Sequence, residues 1–255
     1  MKQPPRKDSY LQSLEKGLAV LDSFTEGTTS LSISDIAERT GQDRASARRA
    51  ILTLTHLGYT RLDGRRFSMT PKVLSLGHRY LSSLPFLPLA QRIIEELADE
   101  MQETVSVGAL DDNDVVFLCR VAARRFLSFD ASVGSRVPAH LHSMGQVLLA
   151  TLPEAQRDAI LATLDYRQYT PHSVTDPDQL REQLKVVAEQ GWAFTNQQYE
   201  EGYCGIAIPL FDADGHAMAA LNVSFAAGQR ALERAREDVL PRLKLAGRRI
   251  QSPGV

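Results

Sequence analysis

Three helical patterns and a hairpin fill the first seventy residues, and the turns between them are short enough to admit few folds. Leu11, Leu14, Leu18, Leu21 and Phe24 recur every three or four residues, which puts them on one helical face. Thr25-Glu26-Gly27-Thr28-Thr29 breaks that helix. Ser34 to Thr40 reads as a short second helix ended by Gly41. A third helix starts at Asp43, an N-cap residue type, and runs to about Leu57 before Gly58. Its apolar side is Ala47, Ala50, Ile51 and Leu54, and its other side carries Arg44, Arg48 and Arg49. Asp63-Gly64 between Tyr59–Leu62 and Arg65–Met69 predicts a hairpin whose turn has positive φ at both central residues. Helix, helix, tight turn, helix, hairpin is the winged helix-turn-helix order.

Pro71 closes the hairpin. Val73 to Leu81 suggests a linker helix, ended by Ser82-Ser83-Leu84-Pro85. The expected division is therefore residues 1–71, a linker over 72–85, and a second domain over 86–255. An acidic amphipathic helix spans Leu89 to Glu103. Val105–Leu110 and Val115–Val121 form a hairpin around Asp111-Asp112-Asn113-Asp114, and Leu127-Ser128-Phe129 is a candidate further strand. Helices are expected at Ser143–Thr151, Glu154–Leu164, Gln179–Gln190 and Ala231–Ile250. Strands are expected at Trp192–Thr195, Gly205–Phe211 and Ala217–Phe225. The whole is α+β, an antiparallel sheet flanked by helices.

The net charge of −2 conceals a partition. Residues 1–80 carry 13 Lys and Arg against 8 Asp and Glu, a surplus of 5 positive charges. Residues 81–255 carry 16 against 23, a deficit of 7. A basic first third suits an anion-binding module, nucleic acid first among anions. Apolar runs such as Val147–Ala150 are far shorter than a membrane span, and no apolar stretch follows the N-terminal basic residues, so neither membrane nor secretion is expected. Cys119 and Cys204 lie far apart, which excludes a disulfide scaffold and a cysteine-pair zinc site and suits a reduced cytoplasm.

On the third helix Arg44 and Arg48 share a face, Arg49 lies beside it, and Ala45 and Ser46 permit close approach to a major groove. Arginine forks onto guanine or phosphate. Arg65 and Arg66 at the hairpin tip can reach the backbone or minor groove, with Arg61 and Lys72 adding phosphate contacts. The bland alternative is a solvated basic face; the helix order and the tight turn argue for duplex DNA.

Residues 10–71 resemble the N-terminal domain of the IclR family of bacterial transcription regulators, through Leu14–Leu21, Ile36-Ala37, Thr40-Gly41, Leu52–Leu54 and Leu57-Gly58-Tyr59. Val133–Ala139, Ser143-Met144-Gly145, Val147–Ala150, Glu201-Gly202, Ile206–Pro209 and Ala219–Ser224 resemble the family's second domain. Arg44–Arg49, Tyr80–Leu84 and Ser143–Gly145 look most like the branch regulating aromatic-acid and β-ketoadipate-pathway catabolism. The resemblance implies a GAF-like domain that binds a small anionic metabolite against its sheet. Carried over, the lining positions are His142, Ser143, Met144, Thr195, Tyr203, Cys204, Gly205, Asn222 and Ser224. The first-turn amides near Ser143 are donors for a carboxylate, and Asn222 and Ser224 share one strand face. The structural alternative makes Ser143 a helix cap and Asn222 a satisfied core amide. Relatives often have arginine where this chain has Cys204, so Arg120, Arg124 and Arg136 are the candidate counter-ions.

His140 and His142 form an HxH pair that would face one way on a strand, but no carboxylate or cysteine lies close by to complete a metal site, and hydrogen bonding is the alternative. No cofactor motif occurs. The reading is a homo-oligomer, dimer or tetramer, on a pseudo-palindromic operator, whose affinity responds to an aromatic acid or a ring-cleavage product. The alternatives are an enzyme or scavenger of small acids using Cys204, and an adaptor dimer binding neither DNA nor ligand.

Overall fold

The computed structural model describes residues 10–25, 27–123 and 131–251. The chain divides into two units, residues 1–83 and 84–255.

In the first unit α1 (Gln12–Asp22), α2 (Ile33–Thr40) and α3 (Arg44–His56) precede β1 (Thr60–Asp63) and β2 (Arg66–Met69), and α4 (Leu74–Ser82) follows a 3₁₀ turn. Local chemistry sets each boundary. Ser32 and Asp35 form a capping box at the start of α2. Gly41 ends α2 with φ of 64°, in the left-handed region. The Asp43 carboxylate then accepts the Ser46 N–H and opens α3. Val20, Phe24, Leu31, Ile36, Ala47, Ile51, Leu54 and Phe67 fill the core. Leu31 pairs with Phe67 and joins the hairpin to the helices.

Two expectations are corrected here. The expected stripe meets this core only at its end: Leu11, Leu14 and Leu18 are 70, 59 and 52 % exposed, Leu21 and Phe24 pack into the core, and Val20, outside the stripe, is fully buried. The hairpin turn is centred one residue later than expected, because Asp63 pairs with Arg66. Only Gly64 has positive φ, at the first central position, as in a II′ turn.

The second unit is built on a six-stranded antiparallel sheet with order β5-β4-β3-β8-β7-β6 among the described residues. The strands are β3 (Thr104–Asp111), β4 (Asp114–Val121), β5 (Arg136–Pro138), β6 (Ala193–Asn196), β7 (Tyr203–Phe211) and β8 (Ala217–Ala226). Against it pack α5 (Leu87–Met101) and α10 (Leu240–Gln251), which also contact each other, and α6 (Ser143–Thr151). Arg242 and Arg249 reach Glu100 and Glu96 on α5 and Arg234 reaches Glu103 just beyond its end, so part of the acidity of α5 is answered from the C-terminal helical segment. α8 (Pro177–Gln190) packs on α6, and α7 (Glu154–Leu161) and α9 (Ala231–Arg234) complete the unit.

The expected final helix runs over Ala231–Gln251 with one irregularity. A π-type turn over Ala235–Val239 lies between α9 and α10 just before Pro241, whose missing N–H cannot complete an α-helical bond. The HxH segment is not a strand: Ala139–Leu141 is a 3₁₀ turn and His142 is the N-cap of α6. The expected strand Leu127-Ser128-Phe129 lies outside the described residues.

α6 sits so close to the preceding turn that a Cβ at Gly145 would lie 2.1 Å from the Ala139 carbonyl oxygen. Backbone atoms cannot yield as a side-chain end does. Gly145→Ala is therefore expected to destabilise the second unit by about 3 kcal/mol, the upper end of overpacking costs, read as a lowered melting temperature.

Candidate functional site

The second unit contains a half-open cavity of about 50 Å³. Strand register builds its floor. Thr104 on β3 pairs with Ser224 on β8, Ser224 with Gly205 on β7, and Gly205 with Thr195 on β6. These four residues form one rung across the sheet, and all four line the cavity. The rung two residues further along runs Arg120, Ser106, Asn222, Ala207, Ala193. Its centre, Asn222, is fully buried. The Asn222 amide donates to Ser143 Oγ at 2.9 Å and to the Ile206 carbonyl at 3.1 Å, and its Oδ1 accepts from Ser224 Oγ at 2.8 Å. A Cβ at Gly205 would lie 2.9 Å from Ser143 Oγ and 3.2 Å from the Asn222 amide nitrogen. Glycine thus keeps the floor open above that network.

The segment after β6 supplies Gln198, Tyr199 and Glu200 to the lining. Thr170 Oγ1 donates to the Gln197 carbonyl at 2.6 Å and Ser173 Oγ to the Gln198 carbonyl at 2.7 Å. The buried Gln146 amide donates to Gln198 Oε1 at 2.8 Å.

Six of the nine expected positions line the cavity: His142, Thr195, Tyr203, Cys204, Gly205 and Ser224. Three do not. Ser143 and Asn222 lie beneath it in the buried network, and Met144 is packed in the core against the Gly108 position. Among the counter-ions, Arg120 is in the wall, with its guanidinium 5.7 Å from the Phe117 ring centre. Arg136 is engaged by Asp111 at 2.7 Å and Asp114 at 3.0 Å, and Arg124 lies outside the described residues. Sequence reasoning missed Thr104, Gln198, Tyr199 and Glu200. Thr104 was recoverable only through the β3–β8 register.

The cap of α6 also differs from expectation. His142 Nδ1, not the Ser143 hydroxyl, accepts the Met144 N–H, at 3.3 Å, which places the ring proton on Nε2. One first-turn amide is thereby already used. Burial and the nearby Arg120 charge push the His142 pKa down to about 4, so the imidazole is neutral at pH 7. His140 is buried against Tyr166 and lowered in the same direction by burial. Burial pushes the Cys204 thiol up to about 11, and its sulfur donates to Asn196 Oδ1. A thiol so held is not a thiolate at pH 7, which removes the nucleophile the enzyme alternative required. The exposed Asp212, Asp214 and His216 cluster in the β7–β8 turn, where Asp212 is occupied accepting backbone N–H groups.

In the first unit the arginines separate into two kinds. Among the described residues Arg48 and Arg65 have no hydrogen-bond or ion-pair partner and are exposed, as is Ala45. Arg44 reaches Ser34 Oγ, Arg49 reaches Ser46 Oγ, and Arg61 reaches Ser68 Oγ across the hairpin. Arg66 binds the Ser30 hydroxyl and carbonyl and pairs with Asp35 at 3.4 Å, fixing the hairpin to α2. Ser46 is buried, contrary to its expected place on the open face. Lys72 donates to the Leu57 carbonyl at 2.7 Å, satisfying the end of α3.

Residues 13–64 match the IclR helix-turn-helix domain, and residues 78–252 match the C-terminal domain of the bacterial transcriptional regulator IclR. The chain belongs to the IclR family. The Pca regulon regulatory protein of Pseudomonas putida, an IclR relative, is 38 % identical over 240 residues, covering 94 % of this chain and 82 % of that protein. Among solved IclR-like structures, a transcriptional regulator from Rhodococcus sp. RHA1 superposes with a TM-score of 0.80 at 38 % identity, covering 95 % of this chain and 97 % of its own. An IclR homologue from Microbacterium hydrocarbonoxydans, solved with 4-hydroxybenzoate, gives 0.80 at 26 % identity over 94 % and 98 % of the two chains. Family membership makes the chain a transcription regulator, not an enzyme, with the α+β architecture described above. No described helix is long and apolar enough to cross a membrane.

Neutral burial of His142 has a pH consequence. Its pKa is about 4 folded and near 6.5 unfolded, so the unfolded chain binds more protons between those values. Stability is fully present above pH 6.5 and falls as pH drops toward 4. His142→Asn keeps a capping side chain but does not titrate. Its melting temperature is expected to fall less steeply across that window than the parent's, with His140 retaining part of the slope.

Proposed function

We propose that residues 1–71 bind operator DNA, that residues 86–255 bind a small carboxylate and hold copies of the chain together, and that residues 72–85 couple the two. The observation that carries this reading is Arg120 in the wall of a cavity whose floor is a row of neutral hydrogen-bonding groups. A cationic group beside neutral donors suits one small organic anion. The unit around it is acidic overall, so an anion must be held by such local groups against an unfavourable field.

α3 enters the major groove with Arg44, Ala45 and Arg48 toward base edges, while Arg49, Arg61 and Arg65 contact phosphates. Arg66 supports the hairpin from within. Arg48 and Arg65, without partners among the described residues, support this division. Exposed Leu11, Leu14, Leu18 and Leu57 form an apolar surface on this unit that favours self-association. A dimer or tetramer reading a pseudo-palindromic operator in the cytoplasm follows. The effector contacts are Arg120, His142, Thr195, Tyr203, Cys204, Gly205 and Ser224. The effector is an aromatic acid or a product of ring cleavage, as the hydroxybenzoate-bound homologue suggests. The ligand acts by binding one arrangement of the DNA-binding units better than another.

Two measurements test the reading. Arg48→Ala should weaken operator binding by about 1–3 kcal/mol, the usual loss for a bidentate base contact, and relax specificity at one position. Arg65→Ala should weaken all duplexes alike and reduce the salt slope by about 0.9. Affinity unchanged by both would contradict the DNA-binding assignment. In the second unit, Arg120→Met should abolish the melting-temperature rise caused by benzoate.

A further inference from the structure

The cavity's wall holds one described guanidinium, Arg120, and one described carboxyl group, Glu200. Among its other lining groups, the His142 imidazole is neutral at pH 7 through its lowered pKa, and the Cys204 thiol and the Tyr199 phenol through pKa values that burial raises. Glu200 comes from the segment after β6, opposite in origin to Arg120 on β4. It is partly buried, and among the described residues no hydrogen-bond or ion-pair partner answers its oxygens. Burial raises its carboxyl and the Arg120 charge draws it back, so the two groups lie within electrostatic reach of each other. A second cation is absent from the described lining, since position 204 holds a neutral thiol and Arg136 is spent on Asp111 and Asp114.

We infer that Glu200 determines which acids the cavity takes: it accepts a hydrogen bond from the hydroxyl of a hydroxylated monocarboxylic acid whose carboxylate faces Arg120, and it repels the second carboxylate of a diacid. This inference rests on the reading that the cavity binds a carboxylate. Both groups line one cavity, so a monoanion whose carboxylate takes Arg120 puts the rest of its body in space that Glu200 also borders. A hydroxyl there donates a charge-assisted hydrogen bond to an otherwise unanswered acceptor. A plain ring leaves that acceptor without a partner, and sites built for a hydroxyl discriminate against analogues lacking it. A carboxylate there brings two like charges together in a partly desolvated space, with no described cation to separate them. Of the two effector classes, the hydroxylated aromatic acid is therefore favoured over the ring-cleavage diacid.

Calorimetric titration of the full chain at pH 7.5 with 4-hydroxybenzoate, benzoate and terephthalate tests this, because the three differ only in the group para to a common carboxylate. The parent chain is expected to bind 4-hydroxybenzoate at least about tenfold more tightly than terephthalate, a difference of about 1.4 kcal/mol, with benzoate between them. Glu200→Gln removes the charge and keeps the shape, and should bring terephthalate and 4-hydroxybenzoate within about threefold of each other by gaining diacid affinity. The unliganded melting temperature reports whether the variant folds as the parent does. Terephthalate bound as tightly as 4-hydroxybenzoate by the parent, or a ratio unchanged in Glu200→Gln, would overturn the inference while leaving the carboxylate reading intact. If none of the three binds the parent, the carboxylate reading fails and this inference with it.

Discussion

Asn222 is the group on which the second unit's interior depends. It sits fully buried at the centre of the sheet, and its amide ties the start of α6 to β7 and β8 through Ser143 Oγ, the Ile206 carbonyl and Ser224 Oγ. A buried amide is costly unless its donors and acceptor are met, and here both ends are. The network therefore fixes α6 above the sheet at one height. The floor of the cavity is the rung immediately beside it, and Gly205 is the position where any side chain would strike the network. The cavity exists because this polar layer is complete beneath it and glycine leaves space above it.

The same layer bears on how the anion site proposed above would survive in an acidic unit. Arg234, Arg242 and Arg249 of the C-terminal helical segment are paired with Glu103, Glu100 and Glu96, and Arg136 with two aspartates. Arg120 stands in the cavity wall beside neutral donors. Local placement, not net charge, makes the pocket receptive. In the first unit the surplus of positive charge is likewise unevenly used. Arg66 and Lys72 hold the hairpin and the end of α3, leaving Arg48 and Arg65 exposed without partners among the described residues.

Turn and cap chemistry was the most legible part of the sequence. Asp43, Gly41 and Gly64 act as their residue types dictate, because these effects are local. Helical periodicity was less reliable about direction. Of the expected stripe, Leu11, Leu14 and Leu18 are exposed while Phe24 joins the core with Val20, which the stripe did not include, and nothing in the spacing says which residues meet the domain. Alternation on β8 correctly paired Asn222 with Ser224 on one face, yet could not tell that Asn222 lies beneath Ser143 while Ser224 reaches the cavity. Depth depends on what packs above each residue. Gln198, Tyr199 and Glu200 were invisible for a related reason: they lie outside regular structure, and Thr170, Ser173 and Gln146, distant in sequence, bring them to the cavity.

The central claim is that occupancy of this cavity and occupancy of DNA are coupled in one chain. Coupling between two binding equilibria is reciprocal, so whatever factor the ligand imposes on operator affinity, the operator must impose on ligand affinity. The direct measurement is the dissociation constant of an aromatic acid that binds the full chain, determined with and without saturating operator duplex. The account predicts that the constant shifts, by the same factor that the ligand shifts operator affinity. An identical ligand constant in the two conditions, with operator bound throughout, would contradict it.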